Sequence, residues 1–216
     1  MIKKALLAAT IAGGMATAAS AVPIQIDDIP IVNLTGVYTP GTLLASNVGS
    51  GVNGNLGGTL RTAVYQNMDG TLDFLYQFSN TRTGGSASER QTYIDFGNFL
   101  ADVFQTADDV DGAGSVFVSG DQIASSADRD GETIGVNFDL GGISGKVGPG
   151  ESSYTIILST MATAYSPGLF NVINGGILQI SAFQPAAEAV PAPGALGLLG
   201  LGLLGMGAAA RRRKAA

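Results

Sequence analysis

Turn-forming residues recur at roughly eight- to twelve-residue intervals between residues 22 and 184, with short alternating runs between them and little helical periodicity. Spacing of that kind leaves room for strands and not for long helices. The clearest unit is a hairpin. Residues 59–66 lead into Asn67-Met68-Asp69-Gly70, and residues 71–78 return. Asp-Gly supplies the positive-φ residue that such a reversal needs. In the returning arm Leu72, Phe74, Tyr76 and Phe78 fall on one face by the two-residue period of a strand. Asp73, Gln77 and Ser79 fall on the other, and Leu75 breaks the pattern.

Further strands are expected at 92–104, 115–119, 133–140, 153–163, 169–173 and 176–183. Tyr93, Phe96, Phe99, Leu100, Val103 and Phe104 would also mark one helical stripe, but Gly97 interrupts it, so 92–104 reads as extended. Ser166-Pro167-Gly168 reads as a turn. Residues 33–58, with seven glycines, read as a long irregular connection or a loosely held edge. About eight strands in roughly 165 residues predict an all-β fold, an antiparallel β-sandwich or jelly roll.

Composition excludes more than it selects. The chain has no His, Cys or Trp. A Ser-His-Asp triad, a Cys nucleophile, a disulfide and the usual zinc site are therefore out of reach. Six of the 11 cations lie near the ends (Lys3, Lys4, Arg211, Arg212, Arg213 and Lys214), leaving five against 17 acids, a body charge of −12. That disfavours nucleic acid and anionic lipid as partners, since both need a basic face.

The ends read as addresses. Lys3 and Lys4 precede an apolar run, and Ala19-Ser20-Ala21 offers the small-x-small pattern of signal peptidase, with Ala19 and Ala21 as its small residues and cleavage after Ala21. Residues 1–21 are thus expected to be a signal helix and 22–186 the exported β domain. The Pro- and Ala-rich residues up to 193 read as a stiff spacer, bounded at 187–193. Residues 194–210 carry no charge and no polar side chain and are expected to be a transmembrane helix. Six glycines make it a weak permanent anchor. Residues 211–216, with Arg211, Arg212, Arg213 and Lys214, would stay in the cytoplasm.

Val190-Pro191-Ala192-Pro193, the Gly/Leu-rich run after it and the Arg211–Lys214 cluster together resemble a PEP-CTERM sorting signal. Ala192 stands where that family's motif has Glu. The resemblance implies recognition by a membrane-embedded protease, the exosortase, in a Gram-negative bacterium that makes exopolysaccharide. It implies a transient inner-membrane anchor, then the cell surface, outer membrane or matrix. The hairpin, the Gly148-Pro149-Gly150-Glu151 turn and Asn174-Gly175-Gly176 are similar to choice-of-anchor ectodomains, a likeness that carries no catalytic residue over.

Two Asp-Gly clusters are candidate calcium loops, with Asp109, Asp111, Asp128 and Asp130 as ligands. Neither fits an EF-hand, because the closing Glu is missing, and a solvated turn is the plainer reading. Glu89, Asp95, Glu132 and Glu151 are the acids available for glycosidase work, but no spacing singles out a pair. Tyr65, Phe74, Tyr76, Phe78, Phe96 and Phe99 would form a sugar-stacking face or, at this period, half of a core. The expectation is a non-catalytic surface or matrix protein linked to exopolysaccharide, with no cofactor. The alternative is a carbohydrate- or calcium-binding module.

Overall fold

The computed structural model describes residues 29–34, 38–97, 99, 101–108, 110, 116–138 and 145–187. Among them the regular structure is all β. In chain order the strands are Ile29–Pro30 (β1), Val32–Asn33 (β2), Thr42–Asn53 (β3), Leu56–Gln66 (β4), Leu72–Ser79 (β5), Arg90–Tyr93 (β6), Ala101–Thr106 (β7), Ser126–Asp130 (β8), Thr133–Asn137 (β9), Thr155–Thr160 (β10), Ala164–Ile173 (β11) and Ile177–Ala186 (β12). They form two six-stranded sheets, ordered β1-β8-β9-β6-β11-β12 and β2-β7-β10-β5-β4-β3. The short β2–β7 pair is parallel, and the other named pairs are antiparallel. The signal and transmembrane helices expected at 1–21 and 194–210 lie outside the described residues. Among the described residues no helix is long and apolar enough to cross a membrane.

The 59–78 hairpin forms in the expected register, with Gln66 opposite Leu72 and Val64 opposite Phe74. Gly70 takes φ +88°, as the Asp-Gly turn requires. Leu72, Phe74, Tyr76 and Phe78 face the other sheet and share one core with Tyr93, Ile134, Val136, Phe170, Leu178 and Ile180. Aromatic rings meet across the gap. Tyr76 and Tyr93 lie 4.6 Å apart between centroids, and Phe74 meets Phe96 edge-on at 5.6 Å. Each fully buried ring contributes about 1.5–3 kcal/mol. The aromatic set is thus spent on packing, and a stacking face for sugar is not left over: Phe74, Tyr76, Phe78 and Phe96 are buried in this core, Phe99 packs against it, and Tyr65 is buried in a second one.

That second core corrects the expected polar face of β5, all of which is buried. Leu75 joins Ala63, Tyr65, Ile157, Val110 and Phe117 beneath Leu34 and Tyr38. The loop residues after β2 and β7 roof the outer side of this sheet. The polar residues of β5 stay because each finds partners. The Gln77 amide donates to Val118 O at 2.6 Å and accepts from Val118 N at 2.9 Å. The strand expected at 115–119 is accordingly not one. Residue 115 lies outside the described residues, and 116–119 run without a strand partner, docked on a side chain that mimics a peptide.

Three other segments differ from expectation. Residues 92–104 split into the end of β6 and the start of β7, with Asp95 at φ +66° in the break. Ser166-Pro167-Gly168 is no turn, since these residues pair with Gln184, Phe183 and Ala182 inside β11. Proline is tolerated there because β6 covers only Phe170–Ile173, so that half of β11 has a free side. In the glycine-rich stretch the edge alternative is the one that forms, as the 12-residue strand β3, but it is packed on β12 and not loosely held. Gly49 and Gly51 bring it close to β12, for a Cβ on either would lie 3.0 Å from Ile180 Cγ2 or Leu178 Cδ1.

Candidate functional site

A cleft of about 290 Å³ opens beside the end of β12, between Asp95, Phe99, Glu132, Ser166 and Gln184. Its parts come from three places in the chain. Asp95 stands in the break after β6, where its positive φ turns the backbone. The Gln184 side chain on β12 donates to Asp95 Oδ2 at 2.6 Å. Glu132 is in the two-residue turn between β8 and β9, and Phe96 N donates to its carbonyl at 2.8 Å. Arg129 on β8 holds the break from the side, donating to the carbonyls of Phe96 and Phe99.

Two glycines make the room. A Cβ on Gly97 would lie 2.6 Å from Glu132 Cγ, and one on Gly168 would lie 2.1 Å from Gln184 Oε1. The result is two carboxylates, an amide and a hydroxyl beside an aromatic ring. Such a set can accept and donate hydrogen bonds to a hydroxylated ligand.

The other sequence candidates are dispersed. Asp128 is bound by Arg90, whose Nη2 reaches its Oδ1 at 2.6 Å while Nη1 reaches Oδ2 and also Asn137 Oδ1. Gly135 leaves the space for this bridge, since a Cβ there would sit 1.9 Å from Arg90 Nη2. Asp130 is exposed at the end of β8. Asp109 and Asp111 lie outside the described residues, and among the described residues no three acids converge on a metal position. Glu89 pairs with Lys146 at 2.5 Å. Glu151 ties its own turn together, accepting from Gly148 N at 2.7 Å and Gln122 Nε2 at 2.9 Å. Of the four acids considered for sugar chemistry, the fold brings together only Asp95 and Glu132. Sequence spacing did not single them out. The signals were Gly97 and Gly168, which here serve to admit side chains.

The body ends at this cleft, since Pro185, Ala186 and Ala187 form part of its wall. The chain then enters the segment that carries the address. Residues 189–214 match the family model of the PEP-CTERM protein-sorting motif. The chain carries a PEP-CTERM sorting signal. The match takes in Val190, Pro191, Ala192 and Pro193 at one end and Arg211, Arg212, Arg213 and Lys214 at the other. All of these lie outside the described residues, as do Ala19 and Ala21 of the expected signal-peptidase site. The PEP-CTERM motif marks an exported protein with a transient membrane anchor, processed by an exosortase. No curated protein and no solved structure matches the chain.

Proposed function

We propose that the chain is a non-catalytic structural or interaction protein of the cell surface or extracellular matrix, linked to exopolysaccharide. Its body would be a β-sandwich, delivered after signal-peptidase cleavage and released from the inner membrane by the exosortase. The observation that carries this reading is the PEP-CTERM motif at 189–214, placed directly after the last strand of an all-β body. Supporting it are the lack of His and Cys and the commitment of Glu89, Glu151 and Asp128 to internal partners. The test is fractionation of the native host with and without its exosortase. The protein is expected in the surface or matrix fraction of the parent, co-eluting with exopolysaccharide, and in the inner membrane of the deletion strain. An unchanged distribution contradicts the reading.

A second reading, a carbohydrate-binding module, is favoured by the cleft at Asp95, Glu132 and Gln184. On this reading Glu132→Gln lowers retention on surface polysaccharide by about tenfold, the equivalent of about 1.4 kcal/mol. Retention equal to that of the parent leaves the first reading alone.

A further inference from the structure

β3 is the last strand of its sheet, and among the described residues its backbone ladder runs to β4 alone. At alternate residues its N–H and C=O groups therefore point away from the molecule. Natural edges of this kind are guarded by charge, proline, a bulge or shortness, because they are templates for another strand. β3 is 12 residues long. It has one bulge, between Leu43 and Ala45, at its beginning. No charged residue lies between Asp28 and Arg61. From Ala45 to Asn53 the edge is long and neutral, and no described strand pairs with its outer side.

The side-chain order along it is symmetric. Ala45, Asn47, Gly49 and Gly51 are half-buried on the side facing β12, while Leu44, Ser46, Val48, Ser50 and Val52 are exposed. The exposed series reads apolar, serine, valine, serine, apolar from either end. Val48 is its centre, and Val48 and Val52 leave 54% and 68% of their surfaces in solvent. A two-fold contact needs a patch that complements itself. Antiparallel pairing about Val48 sets Val48 against Val48 and Ser46 against Ser50, and brings Leu44, in the bulge, to the end that meets Val52. On the inner side it sets Asn47 against Gly49 and Ala45 against Gly51. Like meets like at each exposed position.

We propose that β3 is a self-association edge, on which two copies of this chain pair antiparallel about Val48 into one continuous sheet. Charge narrows the choice of side. With −12 on the body, most approaches of a second copy meet like charge. The β3 edge and the β12 edge stacked on it lie in charge-free stretches, the latter between Glu151 and Glu188. An Asn53 Nδ2 bond to Ile177 O at 2.7 Å fixes the far end of β3 to β12, so the template is held in place before it meets a partner. A single ladder buries little surface compared with the ~1,600 Å² of a standard interface, so pairing is expected where copies are concentrated.

The chain has no Cys, so single cysteines report the register directly. In the full chain, Val48→Cys is expected to give a disulfide-linked homodimer under mild oxidation in the host envelope. Ser46→Cys alone is expected to give none, since the two equivalent positions would lie about 14 Å apart along the strands, beyond a disulfide's reach. Ser46→Cys mixed with Ser50→Cys restores the cross-link. Val48→Lys, at an exposed position that does not disturb the core, is expected to lose self-association. Equal cross-linking of Val48→Cys and Ser46→Cys overturns the proposal, as does persistence of the dimer in Val48→Lys. A Val48→Cys cross-link to a different protein would show a foreign strand on this edge and overturn it too.

Discussion

Asp73 and Asp102 stand two strands apart in one cross-strand row, each opposite Ser159. They show how a single hydroxyl serves only one of two neighbouring acids. Ser159 Oγ donates to Asp73 Oδ1 at 2.6 Å, Asn67 Nδ2 adds a bond of 3.0 Å, and the Tyr38 hydroxyl a third. Asp73 therefore remains in β5, as its second residue, although only 4% exposed. Burial, with the Asp73 carboxylate as a second cause, holds the Tyr38 hydroxyl protonated far above its usual range. The hydroxyl of Ser159 is given to Asp73, and among the described residues the buried Asp102 Oδ1 has no hydrogen-bond partner. Desolvation raises its pKa above the ordinary carboxylate value. The sign follows from linkage. The folded state binds the proton more tightly, so stability is fullest below the unfolded pKa of about 3.9 and falls as pH rises through the folded value. Asp102→Asn is expected to raise the melting temperature at pH 7 and to leave it unchanged near pH 3. Melting curves at the two pH values check this, and an equal shift at both would mean that charge is not the cause. Nothing in the sequence around these two Asp residues distinguishes them, because the difference lies in which neighbour the serine serves.

At the scale of elements, the β4–β5 hairpin was legible because its turn and its alternation agree. Gly70 has open space around the position of a Cβ, so its requirement is purely one of φ. Gly70→Val is expected to cost about 1–2 kcal/mol through backbone strain. Phe74→Ala, in the shared core, is expected to cost about 3–5 kcal/mol. Urea midpoints order the two, and small, equal shifts would contradict the register. Where local chemistry and tertiary context disagree, the sequence misled. Ser166-Pro167-Gly168 carries turn chemistry, yet a half-free strand accepts it. β3 is rich in glycine, yet those glycines let it pack on β12. The alternation of β5 signalled one buried face, and only the distant loops around Tyr38 and Phe117 bury the other. Leu75, the residue that broke the alternation, was the trace of that second core.

For the whole molecule, the address was readable in the sequence and the body's site was not. A sorting signal is a linear pattern of Pro, apolar and Arg residues, so it survives without a fold. The cleft at Asp95 and Glu132 joins a break after β6 to a hairpin turn and to β12, and its assembly depends on strand order. Asp128 and Asp130, adjacent enough in sequence to imply a shared ligand, are divided by Arg90, which claims the first. The PEP-CTERM motif implies that this body is exported, held briefly and cut free. The measurement that tests it most directly is the intact mass of the mature protein from its native host. The expected mass is that of a chain that begins at Val22 and lacks Arg211, Arg212, Arg213 and Lys214. A mature surface protein that still ends at Ala216 would contradict it.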